Sequence, residues 1–560
     1  MQRKDFTAWI IVLAASALSA VVLFAYFHKT TGMWLPHVLP QVEEDSLYYL
    51  VQIREVLDGK PFLGNPYIRE YADASFPGLL LPIWLAAIPG LLGLGINAVF
   101  FINALLYSVL TGVILYILCL CVGRGNRTIA VAMTILGVLS LHNLLIRPAV
   151  MQTIYPCFGL FLLTMFAVLK KPHKPHAYVA LGATAVLTFY LYPYLWMVSF
   201  TAIGLLFIKM LWQHDRKAIT YLILMGIAVV AACLPQIWTI VSLFQDEATH
   251  ALNLRIGLVE THAVLPLTIL NLKYVIFLVA GLLFLRIRRK LDAAETLLLL
   301  VGISLCIGAT SNIVTGKEMD FHSHFWRLSL LLNVVAISTL LPRLRGKNDI
   351  AEKIVIGLCA AALLFTTINR TFIRSNSYRY LKTFEQSAPA QRALQEYQNV
   401  FDFFNTSAVR NQVILSNSTI GQYIPIYTAN YVFYAHRAGV HIVPQDEFLT
   451  RFLTYYVDDV DEKFLKNGVD GYAGISPLHT AIYANAYGNM LEPIEIVGGA
   501  KFIEKTLTEH ATIQQTYDQT LRRFNVTYVI IDHTTTDNPR LPAMTTPVMS
   551  NDRFTIYRLE

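Results

Sequence analysis

Apolar runs of about 20 residues, separated by short polar connections, fill residues 1–375 of the chain. A helix of that length matches the hydrocarbon core of a bilayer. Spans are expected at 8–27, 97–122, 128–146, 150–169, 177–193, 195–212, 218–243, 263–285, 293–313, 326–342 and 352–370. One further apolar stretch, 77–95, is broken by Pro77, Pro82 and Pro89 and by Gly78, Gly90, Gly93 and Gly95. Such residues interrupt a straight spanning helix, so this segment is expected to lie along the outer surface or to re-enter. Beyond residue 375 the pattern changes. The β-branched runs Val413–Leu415, Tyr528–Ile531 and Phe554–Tyr557 read as strands, and 384–404 and 500–523 as amphipathic helices. The expected fold is a polytopic α-helical membrane protein over 1–375, with about 11 spans plus a juxtamembrane helix, followed by a C-terminal extracytoplasmic α/β domain over 376–560.

Composition agrees with the pattern. Of the 560 residues 55% are hydrophobic and 14% charged, against about 25% charged in an ordinary soluble protein. Basic residues cluster in short loops: Arg3/Lys4, Arg124/Arg127, Lys170/Lys171/Lys174, Lys209/Arg216/Lys217, Arg286–Lys290 and Arg343–Lys353. The excess of basic residues in cytoplasmic loops puts these clusters inside. They share that side only if 77–95 does not cross, which leaves the N-terminus cytoplasmic and the C-terminal domain outside. The first run, preceded by Arg3 and Lys4, also has features of a signal peptide, but it is long and lacks a small-x-small site. The net charge of +7 sits in these loops and does not argue for nucleic acid. All six cysteines fall in apolar runs, so disulfides do not hold the polar C-terminal part together.

Candidate chemistry concentrates in the first outer loop, 28–76. Glu43, Glu44 and Asp45 precede Ser46, Tyr48, Tyr49 and Arg54, and residues 45–57 read as a helix on the membrane surface. Asp45 or Ser46 can simply cap that helix. Alternatively, a carboxylate at a membrane surface beside aromatics suits a general base, and its acidic neighbours raise its proton affinity. The triplet, through Glu43 and Asp45, can also hold Mg²⁺ or Mn²⁺. Arg147 lies at the outer end of a span, as a phosphate ligand or an interface anchor. The third outer loop brings together Lys317, His322, His324 and Arg327 with several aromatics. These cations suit a phosphate grip, the aromatics an interfacial belt, and His322-x-His324 alone is weak as a zinc pair.

An acidic residue in the first outer loop, then Tyr48-Tyr49, Ile53-Arg54 and Gly59, resembles the membrane glycosyltransferases of the GT-C superfamily. Oligosaccharyltransferase catalytic subunits, protein O-mannosyltransferases and aminoarabinose transferases share this layout. The stretches 420–428 and 525–532, with Ala435-His436, are similar to segments of uncharacterised bacterial members. The resemblance implies transfer of a sugar, with inversion, from a polyprenyl-phosphate donor to a lipid, glycan or protein acceptor on the outer face, among membrane lipids. It implies Asp45 as base, with Glu44 as the alternative. Tyr48, Tyr49, Arg54, Arg147, Lys317, His322, His324 and Arg327 would bind substrate. Oligosaccharyltransferases carry a second acidic motif in the next outer turn; here Leu145–Ala149 has no acid, so either no cofactor or a divalent cation is compatible. A transporter or flippase of lipid-linked glycans would show mid-span ionisable residues and internal repeats. A non-catalytic scaffold displaying the outer domain is the remaining reading.

Overall fold

The structure, a computed structural model, describes residues 3–41, 45–243, 245, 247–319, 324–345, 349–373, 384–475, 477–487 and 492–560. Among the described residues, eight helical segments are long and apolar enough to cross a membrane: 6–31, 96–122, 150–170, 193–212, 216–243, 266–288, 325–345 and 350–372. Helices 127–140, 175–191 and 293–309 are apolar but shorter.

In chain order, α1 (Arg3–Thr31) packs on α4 (Ile96–Val122), and between them come α2 (Ser46–Leu57) and α3 (Leu80–Leu91). Twelve residues make α3 about 18 Å long, short of a bilayer core of about 30 Å. It packs along α2 at a close approach: a Cβ on Gly90 would fall 2.6 Å from Leu57 Cδ1. The 128–146 stretch, expected as one span, is divided. Helix α5 (Arg127–Ser140) ends at Leu141, and α6 (His142–Ile146) follows. Pro148 then holds Arg147 in an extended conformation (φ −75°, ψ 120°), because a residue before proline is disfavoured in a helix. Ala149, at φ 56°, turns the chain into α7 (Val150–Lys170).

Helices α8 (Pro175–Leu191) and α9 (Pro193–Trp212) meet at Tyr192, where Pro193 starts the new helix without a lost donor. After α10 (Arg216–Leu243) comes a short α11 (Glu247–Arg255) and β1 (Leu258–Glu260). Then follow α12 (Pro266–Arg288), α13 (Ala293–Ala309), α14 (Asn312–Thr315), β2 (Lys317–Met319), α15 (Phe325–Leu340) and α16 (Ile350–Ile368). Strands β1 and β2 pair antiparallel, joining the connection after α10 to the one after α13. Basic loops converge at the opposite end of the helices. Arg124 and Arg343 both bind Asp292, while Arg289 binds Glu295 and Glu352. Asp292 also caps α13 in a capping box with Glu295.

The C-terminal part is built on a five-stranded sheet of β3 (Val413–Leu415), β4 (Tyr431–Val432), β5 (Val526–Asp532), β6 (Thr545–Ser550) and β7 (Phe554–Leu559). Their order is β4-β3-β5-β7-β6, with β4, β3 and β5 parallel and β7 and β6 antiparallel. The first outer loop closes the β4 edge: the Val432 amide donates to the Tyr67 carbonyl at 2.8 Å. Fully buried Arg451 reinforces the join, donating to Glu70 (2.9 Å) and Glu447 (2.8 Å). One apolar core accordingly runs from α1–α4 through the first loop into this sheet.

Candidate functional site

Asp45 occupies the N-cap position of α2, yet its side chain makes no capping hydrogen bond. Its carboxylate is held between two guanidinium groups instead. Arg147 donates to Oδ2, and Arg437 reaches Oδ1 at 2.8 Å. The helix-cap reading of this side chain is therefore not what the structure shows. Arg147 is brought there by the pre-proline break described above and is nearly buried, with its guanidinium 5.5 Å from the centre of the Tyr49 ring. A buried cation needs an opposite charge, and Asp45 supplies it.

Arg437 comes from the short turn His436–Val440 of the C-terminal part. Two contacts fix that turn. Buried Arg255, at the end of α11, donates to the carbonyls of Gly439 (2.7 Å) and Val443 (2.8 Å) and to Gln445 Oε1 (2.9 Å). Burial lowers its pKa to about 10, which leaves it charged at neutral pH. His441, fully buried, packs against Tyr48 (5.5 Å), Tyr67 (6.0 Å) and Phe76 (5.9 Å). Burial pushes its pKa down to about 3, so it works as a neutral ring between the turn and the first loop.

Tyr49, whose ring faces the Arg147 guanidinium, also lines a cavity of about 660 Å³ enclosed by α2, the start of α3, the α8–α9 junction, α11 and β2. The walls are mostly apolar and aromatic, including Tyr48, Phe76, Tyr192, Trp196 and Phe325. Lys317 and Glu318 stand on its β2 side. Glu318 is 4% exposed, and burial pushes its carboxyl up to about 7. Arg147 and Arg327 are both within electrostatic reach of Tyr49, Tyr155 and Tyr192. Arg327 Nε is buried without a hydrogen-bond partner, and one of its terminal nitrogens is 3.7 Å from Met151 Sδ. His324 is hydrogen-bonded to Tyr192.

Tyr48, Tyr49 and Lys317 line this cavity; Arg147, which holds Asp45, meets it at Tyr49, His324 meets it at Tyr192, and Arg327 is within electrostatic reach of both tyrosines. Arg54 lies apart. It is nine residues along α2, about 13 Å by helical rise, and pairs with Asp58 at 2.8 Å. Glu43, Glu44 and His322 lie outside the described residues. Arg437 was missed from sequence, although it directly follows the Ala435-His436 pair; nothing local marks it as a partner of the first loop. Among the described residues no three His, Cys, Asp or Glu side chains converge as metal ligands. The two oxygens of Asp45 each face a guanidinium, a setting that disfavours a divalent cation.

The helices of membrane-crossing length define a polytopic integral membrane protein, with a mixed sheet packed against the segment between its first and second long helices. No family model matches the sequence, and no curated protein matches it. Among solved structures, ArnT from Cupriavidus metallidurans in the apo state is similar at TM-score 0.40 and 13% identity, over 99% of this chain and 98% of that one.

Proposed function

We propose that this protein is a membrane glycosyltransferase of the GT-C type, moving a sugar from a polyprenyl-phosphate donor to an acceptor on the outer face of the membrane. The observation that carries the reading is the Asp45 carboxylate, shared by Arg147 and Arg437, with Arg147 set against Tyr49 in the wall of a large apolar cavity. The cavity suits the isoprenoid chain. Arg147, Arg437 and Arg327 suit the phosphate, which leaves with two negative charges and is stabilised by preplaced cations. An arriving phosphate competes with Asp45 for its guanidinium partners. As they turn to the phosphate, both carboxylate oxygens are freed to face the acceptor hydroxyl. The carboxylate then takes the proton of that hydroxyl, whose oxygen attacks the anomeric carbon from the face opposite the phosphate, with inversion. No divalent cation enters this scheme.

The same reading makes 1–375 the transmembrane unit, with eleven crossings, and 376–560 an extracytoplasmic domain. Gathering of Arg124, Arg289 and Arg343 at the end away from Asp45 supports a cytoplasmic N-terminus.

The test is transfer of radiolabel from a panel of polyprenyl-phosphate sugars by purified protein in lipid, with and without EDTA. Wild type is expected to transfer, with or without EDTA. Asp45→Asn is expected to lose about 10²- to 10⁴-fold in rate, as for a lost general base. Full activity of Asp45→Asn would sink the base assignment, and inactivity of folded wild type across the panel would sink the enzyme reading.

A further inference from the structure

A second pocket, of about 430 Å³, begins at the turn that carries Arg437 and extends into the C-terminal part. Its volume is within the usual range for small-molecule sites, about 300–1,000 Å³. Its inner wall is aromatic: Tyr434 and Phe452 are buried there, and Tyr456 and Phe464 are partly exposed beside them. Ring centres are 5.8 Å apart for Tyr434 and Phe452, 5.0 Å for Phe452 and Tyr456, and 5.1 Å for Tyr456 and Phe464. Local sequence builds this wall. Asp461 accepts from the Phe464 amide at 2.6 Å and starts the short helix Glu462–Asn467. Gly471 then lets the next turn press on Phe452, since a Cβ there would fall 2.9 Å from the Phe452 ring. The Tyr434 hydroxyl donates to the Gly471 carbonyl at 2.8 Å and closes the wall.

The rim is polar and open. The Asp470 side chain is 59% exposed, and His436 Nε2 stands 3.8 Å from its Oδ2, too far for a hydrogen bond. Among the described residues neither the Asp470 carboxylate nor the exposed Asn467 amide is engaged by another group. Gln422 donates to the Ser418 carbonyl at 3.3 Å and keeps its own oxygen for the pocket.

The ligand chemistry follows from this lining. Among the described residues no lysine or arginine lines the pocket, and Asp470 adds a carboxylate, so an anion is disfavoured. A rim of uncommitted polar groups does not suit a lipid chain. The rim both donates and accepts, which matches hydroxyl groups, whereas an ammonium group only donates. The C–H face of a pyranose carries slight positive charge and meets the negative face of an aromatic ring, while its hydroxyls point outward to such a rim. We propose that this pocket seats a sugar unit of the acceptor, with the rings of Tyr456 and Phe464 against its apolar face and Asp470 and Asn467 on its hydroxyls. The acceptor is then a glycan, free or on a lipid, rather than a protein side chain. His436 in the pocket wall directly precedes Arg437, the partner of Asp45, so the seat and the proposed base flank one turn. The role as acceptor rests on the transfer reading; the binding does not.

The experiment uses the full-length protein in lipid nanodiscs, without donor. Saturation-transfer NMR is run with glucose, galactose, mannose, N-acetylglucosamine and their disaccharides, and hydrogen exchange is followed by mass spectrometry. At least one saccharide is expected to bind with millimolar affinity and to slow exchange in 452–456 and 462–471. Stronger protection by the same sugar on a lipid in the nanodisc assigns a membrane-borne acceptor, and stronger protection by the soluble sugar a free one. Asp470→Asn and Phe464→Ala are each expected to weaken binding about tenfold. In the radiolabel assay they are expected to raise KM for that acceptor about tenfold and leave KM for the donor unchanged. Absence of binding by every saccharide would overturn the proposal. So would protection confined to other segments, stronger protection of these segments by choline, or undiminished binding by both variants. A folded wild type that binds saccharide here but transfers from no donor would sink the transfer reading and leave the pocket a saccharide site. Asp470 is exposed, and the exchange pattern is read on wild type, so the outcome does not depend on a variant that fails to fold.

Discussion

Two guanidinium groups on one carboxylate hold the Asp45 side chain in place, and the same contacts occupy both of its oxygens. On the proposed reaction, the donor phosphate draws the guanidinium groups away. Arg437→Gln is then expected to raise KM for the polyprenyl-phosphate sugar by roughly tenfold or more, the worth of one charged hydrogen bond, in the radiolabel assay. Unaltered KM would remove Arg437 from the phosphate site. Glu318 gives a prediction independent of activity. Its folded carboxyl titrates near about 7, against an ordinary value of 4.5. Between those pH values the folded protein keeps a proton that the unfolded chain has released, so stability falls as pH rises through this window. Glu318→Gln removes the linkage. Its thermal midpoint is expected to gain on wild type between pH 5 and pH 8, seen in melts across that range, and a constant difference would contradict the assignment. Of these residues, Asp45, Arg147 and Lys317 were legible as charged groups stranded beside apolar segments. Arg437 was not, because its partner is set by tertiary docking and leaves no trace in local spacing.

At the level of elements, α11 is the clearest case of a short helix held by its end. Its last residue, Arg255, reaches four acceptors around Arg437, and its backbone rests on Gly474. Gly474 has φ +68°, and a Cβ there would lie 2.8 Å from Arg255 Cα. Gly474→Ala thus meets both backbone strain, about 1–2 kcal/mol, and a main-chain clash. Faster hydrogen exchange is expected in 247–255 and 436–440 together, and unchanged protection there would show that the two segments are not coupled. The helix after Asp45 and the strands at 413–415, 526–532 and 554–559 could be read from period and β-branching, but the helix is largely buried in the core and does not lie on a surface as expected. Two-residue β4 could not, since nothing that short carries a period. The break at Leu141 also escaped notice, because both sides of it are apolar and the divided helix has the composition of a continuous one.

On the scale of the whole molecule, the first outer loop belongs structurally to the sheet as much as to the membrane helices. Arg451 ties them through Glu70 and Glu447 while its guanidinium sits 4.2 Å from the Phe524 ring centre. Breaking a fully buried pair costs about 3–5 kcal/mol; here Glu70 and Glu447 are partly exposed and Glu447 keeps the Tyr71 hydroxyl, so the cost falls below that range. Arg451→Met is expected to lower the thermal midpoint and, on the transfer reading, to reduce activity with it, because Arg437 and Asp45 approach each other across the same join. A variant as stable as wild type would show the ion pairs to be dispensable. The Val432–Tyr67 hydrogen bond has a practical corollary. Any fragment that begins after the last membrane helix carries β4 as a bare sheet margin, with its amides aimed at absent chain. Such margins recruit other strands. Residues 384–560 expressed alone should self-associate, and supplying residues 60–72 in the same polypeptide should restore a monodisperse product.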